Sequence, residues 1–176
     1  MELMTSSWRR INALDLALCL RCNRVSRYAL LCVVFRLISR LGNGALWYSL
    51  MGALLVADGM AAAPTVIRMV LAGLTCLAIY KWLKATTSRP RPYQVYVAIS
   101  AAAPALDRFS FPSGHTLHAV CFATIACNAY PQLSFVLWPF VALVAASRPI
   151  LGLHYPSDVL AGAVIGLGIA QLAIGF

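Results

Sequence analysis

Five apolar segments run through the sequence, and they constrain its fold more than any other feature. They are Gly44–Met60, Ala63–Leu83, Gly114–Tyr130, Gln132–Ile150 and Ser157–Phe176. Each approaches the roughly 20 residues that a helix needs to cross a bilayer. Composition agrees, because 61% of the residues are hydrophobic and 11% are charged, whereas soluble domains have about 25% charged residues. These values exclude disordered, collagen-like and coiled-coil chains and argue against a soluble globule. They predict an all-α, multi-pass transmembrane helical bundle of about five spans.

Residues 1–43 have a different pattern, in which arginines interrupt the apolar runs. A central arginine costs a spanning helix about 2.5–3.5 kcal/mol on insertion scales, and no small-residue cleavage pattern marks a signal peptide. We therefore predict that 1–43 forms one or two interfacial amphipathic helices whose arginines reach outward into the headgroups. Residues 44–176 then form the bundle as a single domain. A strained first span over residues 15–41 is the alternative.

The positive charge is unevenly distributed along the chain. There are 14 Lys and Arg residues against 5 Asp and Glu, for a formal net charge of +9. With five spans, every basic residue except Arg68 falls on the face that holds residues 1–43 and the loops 85–113 and 148–156. Such an excess marks either a cytoplasmic face or a surface for anionic headgroups.

Cysteines, glycines and aromatic residues have structural interpretations. Cys19-x2-Cys22 lacks the further ligands that a zinc site needs, so we interpret all six cysteines as small hydrophobic residues and expect no disulfide framework. Gly162-x3-Gly166 and Gly168 permit close contact with another helix. Aromatic residues near segment ends are interpreted as interfacial anchors: Trp47, Tyr48, Tyr80, Trp82 and Tyr130.

The first polar cluster is Lys84-x6-Arg91-Pro92, at the end of the second apolar segment. Charged residues are costly in so apolar a chain, and their clustering therefore needs a reason. Lys84 and Arg91 can present two cations to one anion, and an arginine can bind phosphate oxygens bidentately. Taken alone, the pair fits a juxtamembrane basic patch that meets lipid headgroups better.

The second polar cluster is Pro112-Ser113-Gly114-His115, directly before an apolar helix. Ser113 is suited to the N-cap position, and a helix N-terminus with a glycine offers free backbone N–H groups to an anion. His115 would then lie in the first turn, near the bound group. The alternative is an ordinary helix cap with an interfacial histidine.

The third polar cluster is Ser147-Arg148-x5-His154-x3-Asp158, in which Arg148 adds a third cation. The spacing allows the Asp158 carboxylate to accept a hydrogen bond from one imidazole nitrogen of His154. Such a bond fixes the tautomer and frees the other nitrogen to attack. The alternative is a structural His–Asp contact at a helix start.

Together, the three clusters place three cations, two histidines, a carboxylate and a helix N-terminus on one face of a small bundle. A metal-free phosphoryl transfer requires cations that bind the phosphoryl oxygens, a nucleophile, and an acid that protonates the leaving group. Asp107 and Asp158 are the only acidic residues on this face outside 1–43. Neither is paired with a second acid, so no two-metal site is expected.

In order and spacing, these motifs resemble the signature of the type 2 phosphatidic acid phosphatase superfamily, which comprises membrane-embedded lipid phosphatases: K-x6-R-P, P-S-G-H and S-R-x5-H-x3-D. The chain matches this signature without a mismatch, and the resemblance covers about residues 44–176. It implies a helical bundle with its site at the membrane surface and with no metal or other cofactor. The implied partners are a lipid phosphate and the bilayer, with no nucleic acid.

The same resemblance implies a role for each motif residue. His154 looks like a nucleophile that forms a phosphohistidine, and Asp158 looks like its orienting partner. His115 looks like the acid that protonates the leaving group and then the base that activates water. The implied phosphate cradle consists of Lys84, Arg91, Ser113, Gly114 and Arg148.

The implied activity is hydrolysis of a lipid phosphate monoester or diphosphate. Polyprenyl diphosphate, the substrate of undecaprenyl-diphosphatases, stands beside phosphatidic acid and phosphatidylglycerophosphate as a candidate substrate. We expect a multi-pass protein of a bacterial inner membrane, and the seven arginines before Gly44 favour a site on the cytoplasmic face.

Two alternatives to a lipid phosphatase share these motifs or this bundle. Vanadate-dependent haloperoxidases have the same motifs, but they are large soluble proteins, and the composition argues against them. A non-catalytic phospholipid-binding or transport protein on the same bundle would be expected to lose His154, Asp158 or His115, and all three are present.

Overall fold

The computed structural model describes residues 2–175, with the side chains of residues 10–175. These residues are largely helical, and eight α-helices follow one another within them: α1 (Glu2–Asn23), α2 (Ala29–Arg40), α3 (Leu46–Asp58), α4 (Ala63–Thr87), the one-turn α5 (Pro92–Val95), α6 (Gly114–Ala129), α7 (Ser134–Ile150) and α8 (Pro156–Gly175). Met1, Phe176 and the side chain of Arg9, which belong to the predicted regions, lie outside the described residues.

The five predicted apolar segments correspond to α3, α4, α6, α7 and α8. Their ends have local causes: Pro64 lies in the first turn of α4, and Gly59 ends α3 with a φ of +57°, which favours glycine. In the described part of the chain, three helical stretches are long and apolar enough to cross a membrane, namely Ala29–Val95, Pro131–Ile150 and Pro156–Gly175. The count of five spans stays a prediction, because α3 and α6 have 13 and 16 residues.

The N-terminal region forms two helices, α1 and α2, joined by a 3₁₀ turn at Arg24–Arg27. α2 then continues through a distorted turn, Leu41–Ala45, into α3. The distortion is at Asn43 and Gly44, and Gly44 has a φ of +122° that side-chain-bearing residues rarely adopt. The predicted boundary between residues 43 and 44 therefore falls on a kink in the chain.

α6 is the central helix and packs against α8, α4 and α7. Its contact with α8 is close, because a Cβ added to Gly162 would lie 2.6 Å from the carbonyl oxygen of Ser113. A Cβ on Gly166 would overlap the carbonyl oxygen of Leu117. The predicted role in helix contact is confirmed for Gly162 and Gly166, which allow the N-terminus of α6 to lie against α8. It is wrong for Gly168, where an added Cβ would meet nothing within 4 Å among the described residues.

Trp47 does not lie where the sequence pattern placed it. We interpreted it as an interfacial anchor, but its side chain is fully buried and packs against Phe122 and Phe140 at ring-centroid distances of 5.6 and 6.0 Å. The kink before α3 turns this side chain into the core, whereas the neighbouring Tyr48 is 72% exposed. All six cysteines are free thiols, and four of them are buried: Cys19, Cys32, Cys76 and Cys121.

Candidate active site

The two cations of the first motif converge on one carboxylate. Lys84 lies in the last turn of α4 and Arg91 directly before α5, and both are buried. Lys84 Nζ and Arg91 Nη2 donate hydrogen bonds to Asp107 Oδ1 at 2.8 and 2.7 Å. Burial would raise the pKa of Asp107, but the hydrogen bond and charge of Lys84 and the charge of Arg91 outweigh it and lower that pKa.

Arg148, the third cation, approaches from the last turn of α7 and is 2% exposed. Its Nη1 donates a hydrogen bond to Ser39 Oγ of α2. Its Nε is buried and has no hydrogen-bond partner among the described residues. A buried donor without a partner is costly, and here it belongs to a side chain that lines a cavity. The arginine is therefore prepared to bind an anion.

The second motif places a helix N-terminus beside these cations. Ser113 occupies the N-cap position of α6, as predicted, but its hydroxyl does not cap the helix, because it is within hydrogen-bond distance of Thr116 Oγ1 at 3.0 Å. The Ser113 backbone N–H donates to the carbonyl oxygen of Asp158 at 3.0 Å. Gly114 and His115 follow in the first turn and line the same cavity as Arg148.

His154 and Asp158 face each other across the start of α8, and both are buried. His154 Nδ1 lies 3.7 Å from Asp158 Oδ2 and has no hydrogen-bond partner among the described residues, so the two side chains are adjacent but the predicted hydrogen bond is not formed. His154 Nε2 lies 3.3 Å from Arg91 Nη1. Because a guanidinium only donates, the second contact requires a lone pair on Nε2 and thus a proton on Nδ1, which faces Asp158. Burial, and then the charges of Arg148, Arg91 and Lys84, hold the pKa of His154 well below its ordinary value.

Two charged residues outside the predicted site complete it. Arg89 Nη1 donates a hydrogen bond to Asp158 Oδ1 at 2.6 Å, and Arg89 Nη2 donates to Asp15 Oδ2 of α1 at 2.8 Å. Asp15 also accepts a hydrogen bond from the Ser157 backbone N–H at 2.9 Å. A sequence signal for Asp15 existed, because it is the only acidic residue between Glu2 and Asp58 and stands in an arginine-rich segment.

A cavity of about 440 Å³ extends from these residues into the bundle. At one end it is lined by the three motif cations, Asp107, His115 and His154. Its remaining wall is mostly apolar and comes from α3, α4 and α6: Trp47, Met51, Val70, Leu74, Leu77 and Phe122. The site therefore joins a cationic end to an apolar chamber, as a ligand with a phosphate and a hydrocarbon chain requires.

All eight residues predicted for the site thus lie together. The cavity itself is lined by Lys84, Arg91, Gly114, His115, Arg148 and His154. Ser113 and Asp158 lie behind it, and the Ser113 backbone N–H donates to the Asp158 carbonyl oxygen. In the part of the chain that the structure describes, no three His, Cys, Asp or Glu side chains group as metal ligands would.

A family model, that of the PAP2 superfamily, matches residues 65–176. The chain belongs to the PAP2 superfamily. This confirms the family that the three motifs predicted, and the match contains all of them. A decaprenylphosphoryl-5-phosphoribose phosphatase of Mycobacterium tuberculosis is 34% identical over 96 residues, which are 54% of this chain and 51% of that protein. The chain therefore spans about half the length of the curated relatives it matches.

Solved structures of PAP2 proteins share the fold over nearly the whole chain. A transmembrane PAP2-type phosphatidylglycerolphosphate phosphatase from Bacillus subtilis superposes with a TM-score of 0.77 at 26% identity, covering 95% of this chain and 86% of that one. LpxE of Aquifex aeolicus gives a TM-score of 0.76 at 26% identity, covering 93% and 96%. With these neighbours and its apolar helices, the chain is an integral membrane protein of all-helical architecture.

Proposed function

We propose that this protein is a metal-independent lipid phosphate phosphatase that acts through a phosphohistidine at His154. One observation carries the proposal. The His154 imidazole, with its Nε2 lone pair toward Arg91 and its Nδ1 toward Asp158, stands among three buried cations at the end of an apolar cavity. Membership of the PAP2 superfamily and the names of the related phosphatases support it.

The first step transfers the phosphoryl group to the enzyme. His154 Nε2 attacks phosphorus as the bond from phosphorus to the lipid oxygen breaks, and Asp158 stabilises the positive charge that develops on the imidazole. Lys84, Arg91 and Arg148, with the backbone N–H of Gly114, stabilise the charge on the phosphoryl oxygens. The backbone N–H of Ser113, predicted for this cradle, donates instead to the carbonyl oxygen of Asp158. The imidazole of His115 gives its proton to the departing lipid oxygen.

The second step restores the enzyme. A water molecule loses a proton to His115 as its oxygen bonds to phosphorus and the phosphorus–nitrogen bond of the phosphohistidine breaks. Inorganic phosphate leaves, and His115 is protonated again for the next cycle. A monoester yields a lipid alcohol, whereas a diphosphate yields a lipid monophosphate.

The substrate is proposed to keep its hydrocarbon chain in the apolar chamber and the bilayer. The named relatives act on a decaprenyl phosphosugar and on phosphatidylglycerolphosphate, which supports polyprenyl diphosphate, phosphatidic acid and phosphatidylglycerophosphate as the substrates to compare. The test is phosphate release by detergent-solubilised protein in the presence of a chelator. Wild-type turnover with a His154→Ala variant at background supports the proposal, whereas full activity of that variant contradicts it.

A non-catalytic phospholipid-binding or transport protein on the same bundle remains the second candidate. The mostly apolar wall of the cavity suits a bound lipid as well as a reacting one. Saturable binding of phosphatidic acid by the wild-type protein, with no phosphate released from any of the three lipids, would favour this candidate over the enzyme.

For the membrane arrangement we propose about five spans (α3, α4, α6, α7 and α8), with α1 and α2 at the interface of a bacterial inner membrane. The exposed arginines of α1 and α2 favour placing the site on the cytoplasmic face. Ser100 is exposed in the loop on the site's face. A Ser100→Cys variant on a cysteine-free background should resist an impermeant thiol reagent in intact cells, and its labelling there would contradict the cytoplasmic placement.

A further inference from the structure

One face of α1 is bound to the loops of the candidate site. Asp15, Cys19 and Asn23 recur every fourth residue, so they lie on one side of the helix, and all three are buried. Asn23 Nδ2 donates hydrogen bonds to the carbonyl oxygens of Ser100 and Ile150, each at 3.0 Å. α1 therefore packs on the protein along this face, and its exposed arginines lie on the others.

The contact at Asp15 differs from the other two because it is ionic. Both Asp15 oxygens are used: Oδ1 accepts from the Ser157 backbone N–H, and Oδ2 accepts from the Ser157 hydroxyl and from Arg89 Nη2. Arg89 lies in the loop between α4 and α5, and its guanidinium stacks 4.1 Å from the centroid of the Tyr155 ring. Its position is therefore fixed from α1, from α8 and from the loop before α8.

Arg89 in turn determines which oxygen of Asp158 faces the histidine. Arg89 Nη1 occupies Oδ1 of Asp158 at 2.6 Å. Oδ2 accepts a hydrogen bond from the Tyr155 backbone N–H at 2.9 Å and is the oxygen 3.7 Å from His154 Nδ1. Without Arg89, the Asp158 carboxylate would lose its only side-chain cation among the described residues. The Tyr155 backbone N–H would then hold one oxygen alone, and the last torsion of the side chain would be less restricted.

We propose that Asp15 and Arg89 are positioning residues, which hold the Asp158 carboxylate beside Nδ1 of His154 so that, together with Arg91 at Nε2, it favours the proton on Nδ1. The inference deepens the proposed function and rests on it. Neither residue lines the cavity, so neither is a phosphate ligand. Asp15 also lies outside the stretch that matches the PAP2 family model. Through Asp15, α1 accordingly supports the position of Asp158 in addition to its proposed place at the membrane interface.

The test compares Asp15→Asn, Arg89→Met and Arg89→Lys with the wild-type protein. Kinetics use whichever of the three candidate lipids the wild-type protein hydrolyses fastest, and titration with inorganic phosphate counts the folded sites. Arg89→Met should lower kcat per phosphate-binding site about 10- to 100-fold. Its KM should stay within about twofold of the wild-type value, because Lys84, Arg91 and Arg148 are unchanged. Arg89→Lys should recover part of this loss, and Asp15→Asn should lower kcat in the same direction.

The matched control is Asn23→Ala, which removes a buried contact of the same helix but leaves the ionic contacts intact. It should keep the wild-type kcat per phosphate-binding site. If Asp15→Asn and Asn23→Ala behave alike, or if Arg89→Met loses activity only in proportion to its phosphate-binding sites, then the pair only holds α1 in place and the inference is wrong.

A second readout does not depend on turnover. The chain has three histidines, so selective ¹⁵N labelling gives a simple spectrum in which the His154 signal is identified by its loss in His154→Gln. The wild-type His154 should carry its proton on Nδ1, and Arg89→Met should mix the two tautomers. If Arg89→Met shifts the tautomer but the wild-type protein hydrolyses none of the lipids, the positioning role is upheld and the proposed function is contradicted. If the His154 signal is unchanged in Arg89→Met, the positioning role is wrong.

Discussion

Asp107 Oδ1 accepts a hydrogen bond from Arg91 Nη2 at 2.7 Å, and the same oxygen accepts one from Lys84 Nζ at 2.8 Å. The two cations proposed for the substrate phosphate are thus both bound to a carboxylate of the protein. The Asp107 side chain is 37% exposed, whereas the Lys84 and Arg91 side chains are 7% and 2% exposed. The cations are held in place, and the carboxylate is the member of the group that can leave.

We therefore expect Asp107→Asn to strengthen phosphate binding. The amide is nearly isosteric but carries no charge, so a substrate phosphate displaces it at less cost. Ion pairs with a solvent-exposed partner contribute about 0.2–1 kcal/mol, and KM should fall up to about fivefold. Titration with inorganic phosphate should show the same gain. Asp58→Asn, at the end of α3, is the charge-matched control and should change neither value. A higher KM in Asp107→Asn would mean that Asp107 holds the cations in place.

The contact of α6 with α8 predicts opposite outcomes for two glycines of α8. Gly166→Ala would overlap the Leu117 carbonyl oxygen, whereas nothing lies within 4 Å of a Cβ on Gly168. Gly166→Ala should separate the helices, lower the melting temperature and reduce activity, because the Ser113–Asp158 backbone hydrogen bond depends on their contact. Gly168→Ala should be neutral or stabilise the helix by up to about 1 kcal/mol. Equal melting temperatures for the two variants would contradict the contact.

The sequence predicted the helices and the motif residues for identifiable reasons. The length of each apolar segment and the prolines and glycines at its ends are local signals of a helix. The residues of each motif are close in sequence, so a short loop is enough to bring them together. Arg89 and Asp15 were missed because their contact joins residues 74 positions apart, and no local pattern reports such a pairing. Trp47 was misplaced because proximity to a segment end does not reveal the direction in which a kinked helix turns its side chain.

The burial of His154 predicts a specific dependence of stability on pH. Its pKa in the folded protein is well below the ordinary value of 6.5, which the unfolded chain regains. Below pH 6.5 the unfolded state therefore binds a proton that the folded state does not, and stability falls as pH falls. The wild-type melting temperature should decrease between pH 7 and 5.5 by more than that of His154→Gln, measured in the same detergent. Parallel decreases in the two proteins would show that other groups cause the effect.

The same pKa predicts the pH dependence of the reaction. A neutral nucleophile is present wherever the pH exceeds the pKa of His154, so kcat/KM should show no loss attributable to this imidazole at pH 6. The profile is measured on wild-type protein at saturating and at limiting lipid phosphate. The prediction is wrong if kcat/KM falls on the acid side with a midpoint near pH 6.5 while the binding of inorganic phosphate does not. His154 would then titrate as an ordinary exposed histidine.

Arg148→Lys separates the charge of this residue from its geometry. The Nε of Arg148 is buried without a partner among the described residues, and Nη1 is held by Ser39, so a phosphate oxygen would supply the missing acceptor. Lysine keeps the charge but loses the planar fork that binds phosphate bidentately. Hydrogen bonds to charged groups contribute about 1.5–3 kcal/mol, so KM and the dissociation constant of inorganic phosphate should both rise about 10- to 100-fold. Ser39→Ala, which removes only the supporting hydroxyl, should raise them far less. Wild-type phosphate binding in Arg148→Lys would show that charge alone suffices at this position and that the unpartnered Nε does not meet the phosphate.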